Sequence, residues 1–118
     1  MKIRPGAVSL VRFPQADLQI GKYRPVVVLA SLPGPFTDWL ICAVTSQLQH
    51  EIEGWDETIY ETATDFGLSG LKAPSLIRIG KLATVEARVL EGVLGEIGED
   101  RLKGILKKLS GYLLNHIG

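Results

Sequence analysis

A mainly β fold with one C-terminal helix follows from three features of the sequence. Apolar runs between residues 7 and 97 are short and end at proline, glycine or polar clusters. Only the C-terminal stretch carries a helical repeat, with Leu102, Ile105, Leu106, Leu109 and Leu113 at three- and four-residue steps. No apolar run reaches the ~18 residues that span a bilayer. Short strands followed by one amphipathic helix pack most simply as a small curled sheet or barrel with the helix laid on it.

The elements follow in order. Ala7 to Phe13 reads as a strand closed by Pro14, which has no N–H to give a ladder. After a polar loop with Gly21, Pro25 opens the β-branched run Val26–Ala30, short enough for a strand buried on both faces. Pro33-Gly34-Pro35 marks a turn, and Trp39 to Thr45 is a third strand, joined to the second by a hairpin-type connection. Residues 46–56 read as a loop or frayed edge, Glu57 to Thr62 as weakly alternating, and Asp65 to Gly70 as turn. Ser75–Ile79 and Lys81–Val85 read as two strands separated by Gly80, and Glu86–Arg88 as a helical turn. A final strand falls within Val89–Ile97. Glu99 and Asp100 precede Lys103, Lys107 and Lys108, the order that complements a helix dipole.

The 118 residues fit one domain, and 46% apolar with 22% charged residues is ordinary globular composition. The start, Met1-Lys2-Ile3-Arg4-Pro5, lacks an apolar signal core, so a cytoplasmic location with no membrane partner is expected. Cys42 is the only cysteine, which excludes an internal disulfide and a thiolate-rich metal site. It sits in an apolar run and reads as a buried structural thiol. Net charge is zero but unevenly spread. Residues 1–50 carry Lys2, Arg4, Arg12, Lys22 and Arg24 against Asp17 and Asp38, whereas residues 51–65 carry only acids. Folding can gather a cationic face from the first third and an acidic, solvated face or loop from the middle; a mixed surface is the alternative.

Four segments then carry a family resemblance. Pro5-Gly6-Ala7-Val8-Ser9-Leu10-Val11-Arg12-Phe13-Pro14 resembles the opening of the MazF/PemK toxins. Gly21-Lys22-Tyr23-Arg24-Pro25 with Val26 to Ser31 resembles their GKxRPxxVLS segment, and Cys42-Ala43-Val44-Thr45-Ser46-Gln47 their third strand end. Gly70-Leu71-Lys72-Ala73-Pro74-Ser75, with Arg78, Lys81 and Leu82, resembles a later block. The order and spacing hold along nearly the whole chain. One departure is Ala7, where the family usually has an acid. The resemblance implies a small SH3-like barrel of the MazF/PemK/CcdB type, usually a homodimer. It also implies an endoribonuclease toxin neutralised by a cognate antitoxin with an acidic, extended binding segment.

RNA carries its own nucleophile, the 2′-hydroxyl, so cleavage needs no protein nucleophile and no bound metal. It needs proton transfer and positive charge on the phosphate. No HExxH motif, carboxylate cluster or Cys/His group with metal spacing occurs, so neither metal nor cofactor is expected. A guanidinium such as Arg24, at the mouth of a strand, grips two phosphate oxygens at once. Read alone it is better taken as a surface arginine paired with an acid; the resemblance reverses that and implies a catalytic role. Thr45 ends an apolar strand, and its hydroxyl is either a plain strand former or, as the resemblance implies, a catalytic group. Ser46 and Gln47 adjoin it as candidates for binding RNA, with Lys22 and Arg12 as electrostatic contacts and Phe13 as a base-stacking platform. Trp39 and Trp55 read as packing residues, and one of Arg78 and Lys81 as a further member of the cationic face. Single-stranded RNA and the antitoxin are the expected partners. Two other readings stay open: a binding toxin of the same fold, like the gyrase-inhibiting CcdB type, and a catalytically inactive relative.

Overall fold

Val26, Val27, Val28 and Leu29 are each at most 1% exposed, so the strand that carries them is covered on both faces. The computed structural model describes residues 2–12 and 22–117. Within them run β1 (Ala7–Arg12), β2 (Tyr23–Ser31), β3 (Asp38–Thr45), β4 (Glu57–Ile59), a short helix α1 (Phe66–Ser69), β5 (Ser75–Glu86), β6 (Val93–Glu96) and α2 (Glu99–Asn115). The six strands make one curled antiparallel sheet in the order β4-β5-β3-β2-β1-β6. The mainly β fold with one long C-terminal helix is the one expected. No helix among the described residues is long and apolar enough to cross a membrane.

Curling gives the sheet two apolar layers. Val8, Val27, Leu29, Cys42, Val44, Ile59, Ile77 and Ile79 face α2, which contributes Ile105 and Leu109. Ala7, Val11, Val26, Val28, Ile41 and Leu90 form a smaller cluster with Trp39 against it. Each fully buried branched side chain contributes about 1.5–3 kcal/mol. Cys42 lies inside the larger layer, and burial pushes its thiol up to about 12. It is the inert structural thiol expected.

Several local expectations change. Residues 75–86 form one strand, not two. The register with β3 jumps from Ala43↔Arg78 to Cys42↔Leu82, so residues 79–81 bulge out around Gly80 without interrupting the strand. Residues 66–69 are a helical turn, and Gly70 ends it at φ 74°. A Cβ at Gly70 would collide with the Leu94 carbonyl, and one at Gly95 with the Leu68 carbonyl, so these glycines let α1 lie directly on β6. In α2 the buried stripe stops at Leu109, and Leu113 is 61% exposed.

The acidic segment is the largest correction. Glu51, Glu53 and Glu61 are exposed, but Asp56, Glu57 and Asp65 are built into the structure. Asp56 accepts the backbone N–H of Ile52 (2.9 Å) and of Ile79 (3.2 Å), the latter an amide that the bulge leaves without a β3 partner. Asp65 accepts from the Gly98 N–H at 2.9 Å and the Arg101 guanidinium at 2.7 Å, tying the entry of α2 to the α1 turn. Glu57 holds Arg101 at 3.1 Å and Lys108 at 2.7 Å. Reading by composition treats such acids as solvated; here the fold supplies donors that local sequence does not reveal.

Two stability predictions follow from these acids. Asp56→Ala leaves two amides without an acceptor and is expected to cost on the order of 2–4 kcal/mol in urea unfolding. An unchanged midpoint would remove Asp56 from this role. Burial alone would raise the Asp65 carboxyl, but hydrogen bonds from Arg101 and Gly98 and the Arg101 charge hold it below its ordinary value. Its folded pKa therefore lies below the unfolded one. The stabilisation is complete above the unfolded value and is lost as pH falls through the folded one. Arg101→Met should lower stability at pH 7 by about 3 kcal/mol, and its deficit should shrink below about pH 4.

Candidate functional site

Arg24 and Thr45 meet because of strand register. β2 pairs with β3 through Val26↔Ala43, Val27↔Cys42 and Val28↔Ile41. Continuing that register two residues outward puts Arg24 opposite Thr45. The ladder itself stops at Val26–Ala43, beside Pro25, which has no N–H to offer β3. On its other side Arg24 still pairs with Val11 of β1. The two strand ends part there, and a cleft of about 340 Å³ opens between them and the segment after α1.

Arg24, Thr45, Ser46 and Gln47 line this cleft from one side, with Leu10 and Pro25 at its base. Gly70, Leu71, Lys72, Ala73 and Ser75 line the other. Two cations, Arg24 and Lys72, face it, and no carboxylate does. Arg24 is exposed and has no ion pair among the described residues. The Thr45 hydroxyl oxygen accepts the Gln47 backbone N–H at 3.2 Å, which leaves its proton to donate elsewhere. The Gln47 side-chain oxygen lies 2.8 Å from His50 Nε2, within hydrogen-bond distance. The Gln47 side-chain amide nitrogen, Nε2, remains to donate. Ser75 is buried, and its hydroxyl donates to the Ala73 carbonyl at 2.8 Å, which fixes the turn beneath Lys72.

The other expected site residues lie apart. Arg12 stacks on Tyr23, 4.5 Å from the ring centroid, and donates to its hydroxyl at 2.9 Å. Neither Arg12 nor Lys22 is among the residues that line the cleft. Phe13 falls outside the described residues. His116 stacks on Tyr112, which itself packs against Trp55. No three potential metal ligands cluster among the described residues. Lys72 went unrecognised although its segment was noted; a lone cation beside Pro74 in a turn was the available signal.

Likeness to known proteins extends the description. A solved endoribonuclease in complex with its cognate antitoxin, from a mycobacterial species, is 13% identical to the chain; the match covers 95% of each chain at a TM-score of 0.66. The MazE–MazF structure from Deinococcus radiodurans is 20% identical, with 92% of this chain and 91% of that chain covered and a TM-score of 0.62. At these identities the likeness is one of fold. No curated protein matches the sequence significantly. The model of the PemK-like, MazF-like toxins of type II toxin–antitoxin systems matches residues 4–113, and the chain belongs to that family.

Proposed function

We propose that the protein is a metal-independent, sequence-selective endoribonuclease toxin that cuts single-stranded RNA and is neutralised by a cognate antitoxin. The observation that carries this reading is the cleft that pairs Arg24 with Thr45 and presents cations, hydroxyls and an amide without a carboxylate. Such a lining attracts negative charge and suits a polyanion such as an RNA backbone. Family membership and the endoribonuclease and MazE–MazF neighbours support the same assignment. The acting unit is a homodimer in the cytoplasm.

In this mechanism the RNA 2′-hydroxyl gives its proton to solvent and attacks the adjacent phosphorus, the bond to the 5′-oxygen breaks as that oxygen takes a proton from solvent, and a 2′,3′-cyclic phosphate remains. Negative charge grows on the nonbridging oxygens as the phosphorus becomes five-coordinate. The Arg24 guanidinium offers two parallel N–H donors to them. A guanidinium is a poor proton acceptor, so charge stabilisation, not proton abstraction, is its role. The Thr45 hydroxyl, oriented by the Gln47 N–H, donates to the same group. Ser46, Gln47 and Lys72 grip the flanking chain, with Lys22, Arg12 and Phe13 as outer contacts.

The test is a long single-stranded RNA in excess chelator. Wild type should make discrete cuts. Arg24→Ala should lower kcat by at least about 10²-fold, and Thr45→Ala by about tenfold or more with little change in KM. No cutting by folded, antitoxin-free protein across diverse RNAs would instead favour a CcdB-like binding toxin or an inactive relative.

A further inference from the structure

We propose that a second cleft, formed by Arg78, Lys81 and Trp55, binds a backbone phosphate of the RNA flanking the one held by Arg24. This rests on the assignment of RNA as the substrate. Arg78 pairs with Ala43 and Leu76 with Thr45, so Arg78 is the diagonal cross-strand neighbour of Thr45 on the same face of the sheet. Such neighbours stand about 7–8 Å apart. The bulge at 79–81 then brings Lys81 to the rim of the same cleft, about 230 Å³, which Ile52, Trp55 and Asp56 close.

The charges in this cleft do not balance internally. Arg78 Nε is buried with no hydrogen-bond partner. A buried donor of this kind is costly to leave unmet, and a phosphate oxygen satisfies it once the guanidinium turns toward the cleft. Neither Arg78 nor Lys81 forms an ion pair among the described residues. Asp56 is the one carboxylate lining the cleft, and its two oxygens are taken by the Ile52 and Ile79 amides. Two cations thus face one carboxylate already committed to the backbone. An acidic peptide offers oxygens too, but the position beside Thr45 favours the polymer being cut.

The experiment uses an RNA whose cut site has been mapped with wild-type protein, together with versions carrying one uncharged methylphosphonate at each flanking linkage in turn. Lys81→Gln, at an exposed position, and Arg78→Met, which keeps the apolar stem, are compared with wild type. On the all-phosphate RNA each variant should raise KM about tenfold at unchanged kcat. Each should also flatten the dependence of log affinity on log salt by about 0.7. One neutral linkage should weaken wild type by a similar factor and cost the variants nothing further. Lys81→Gln decides the matter if Arg78→Met does not fold. Variants with wild-type KM and salt slope, on RNA that wild type cuts, overturn this cleft while leaving the nuclease assignment intact; an effect confined to binding an acidic peptide does the same. Failure of wild type to cut any RNA removes both.

Discussion

Strands β2 and β3 pair antiparallel at the centre of the sheet, and their register fixes both the core and the cleft. Val27 and Cys42 pair within the larger apolar layer, and Val28 and Ile41 within the smaller one. The same alignment carries Arg24 to Thr45 just past the point where Pro25 ends the ladder. A slip of one residue would turn alternate side chains to the opposite face and part the two. The hairpin closes with the Leu32 N–H on the Asp38 carbonyl at 2.9 Å, and an irregularity near Leu29 takes up the odd residue. Burial on both faces of β2 makes the pairing strong, but burial alone does not choose between registers. The closed end of the hairpin makes that choice.

Around this pair, polar groups do what apolar packing cannot. Asp56 satisfies an amide exposed by the bend in β5, so the strand turns without losing its place beside β3. Asp65, Glu57 and Arg101 join β4 and the α1 turn to the start of α2. Gly70 and Gly95 allow α1 to press onto β6, which sets the far wall of the cleft that carries Leu71 and Lys72. The cleft is therefore held from both sides by secondary structure. That arrangement suits a site that must keep donors aimed at a developing charge.

How much of this is legible in the sequence depends on the range of the forces involved. The runs Val26–Ala30 and Trp39–Thr45 and the repeat through Leu109 are local patterns, and each became the element expected. Gly80 misled because glycine reads as a breaker. Only the partner strand and the Asp56 acceptor, 23 residues away, show that the chain bends there and continues. The acids at 56, 57 and 65 misled for the same reason, since their partners lie 36 to 51 residues on in α2 or across the bulge. Arg24, Thr45, Ser46 and Gln47 were singled out by local motif and share one cleft. Lys72 figures only within a motif, and Arg78 and Lys81 only as candidates for a cationic face, because the clefts they line follow from cross-strand placement.

The central claim is that the 2′-hydroxyl beside the scissile phosphate is the nucleophile and Arg24 stabilises the charge it creates. Its most direct test is an RNA with a single 2′-deoxy substitution at the mapped cut site, cleaved in chelator and analysed by product ends. The account predicts that cutting vanishes at that linkage alone, and that the unmodified RNA yields fragments ending in 2′,3′-cyclic phosphate. Continued cleavage at the deoxy linkage, or products bearing 5′-phosphates, would contradict it.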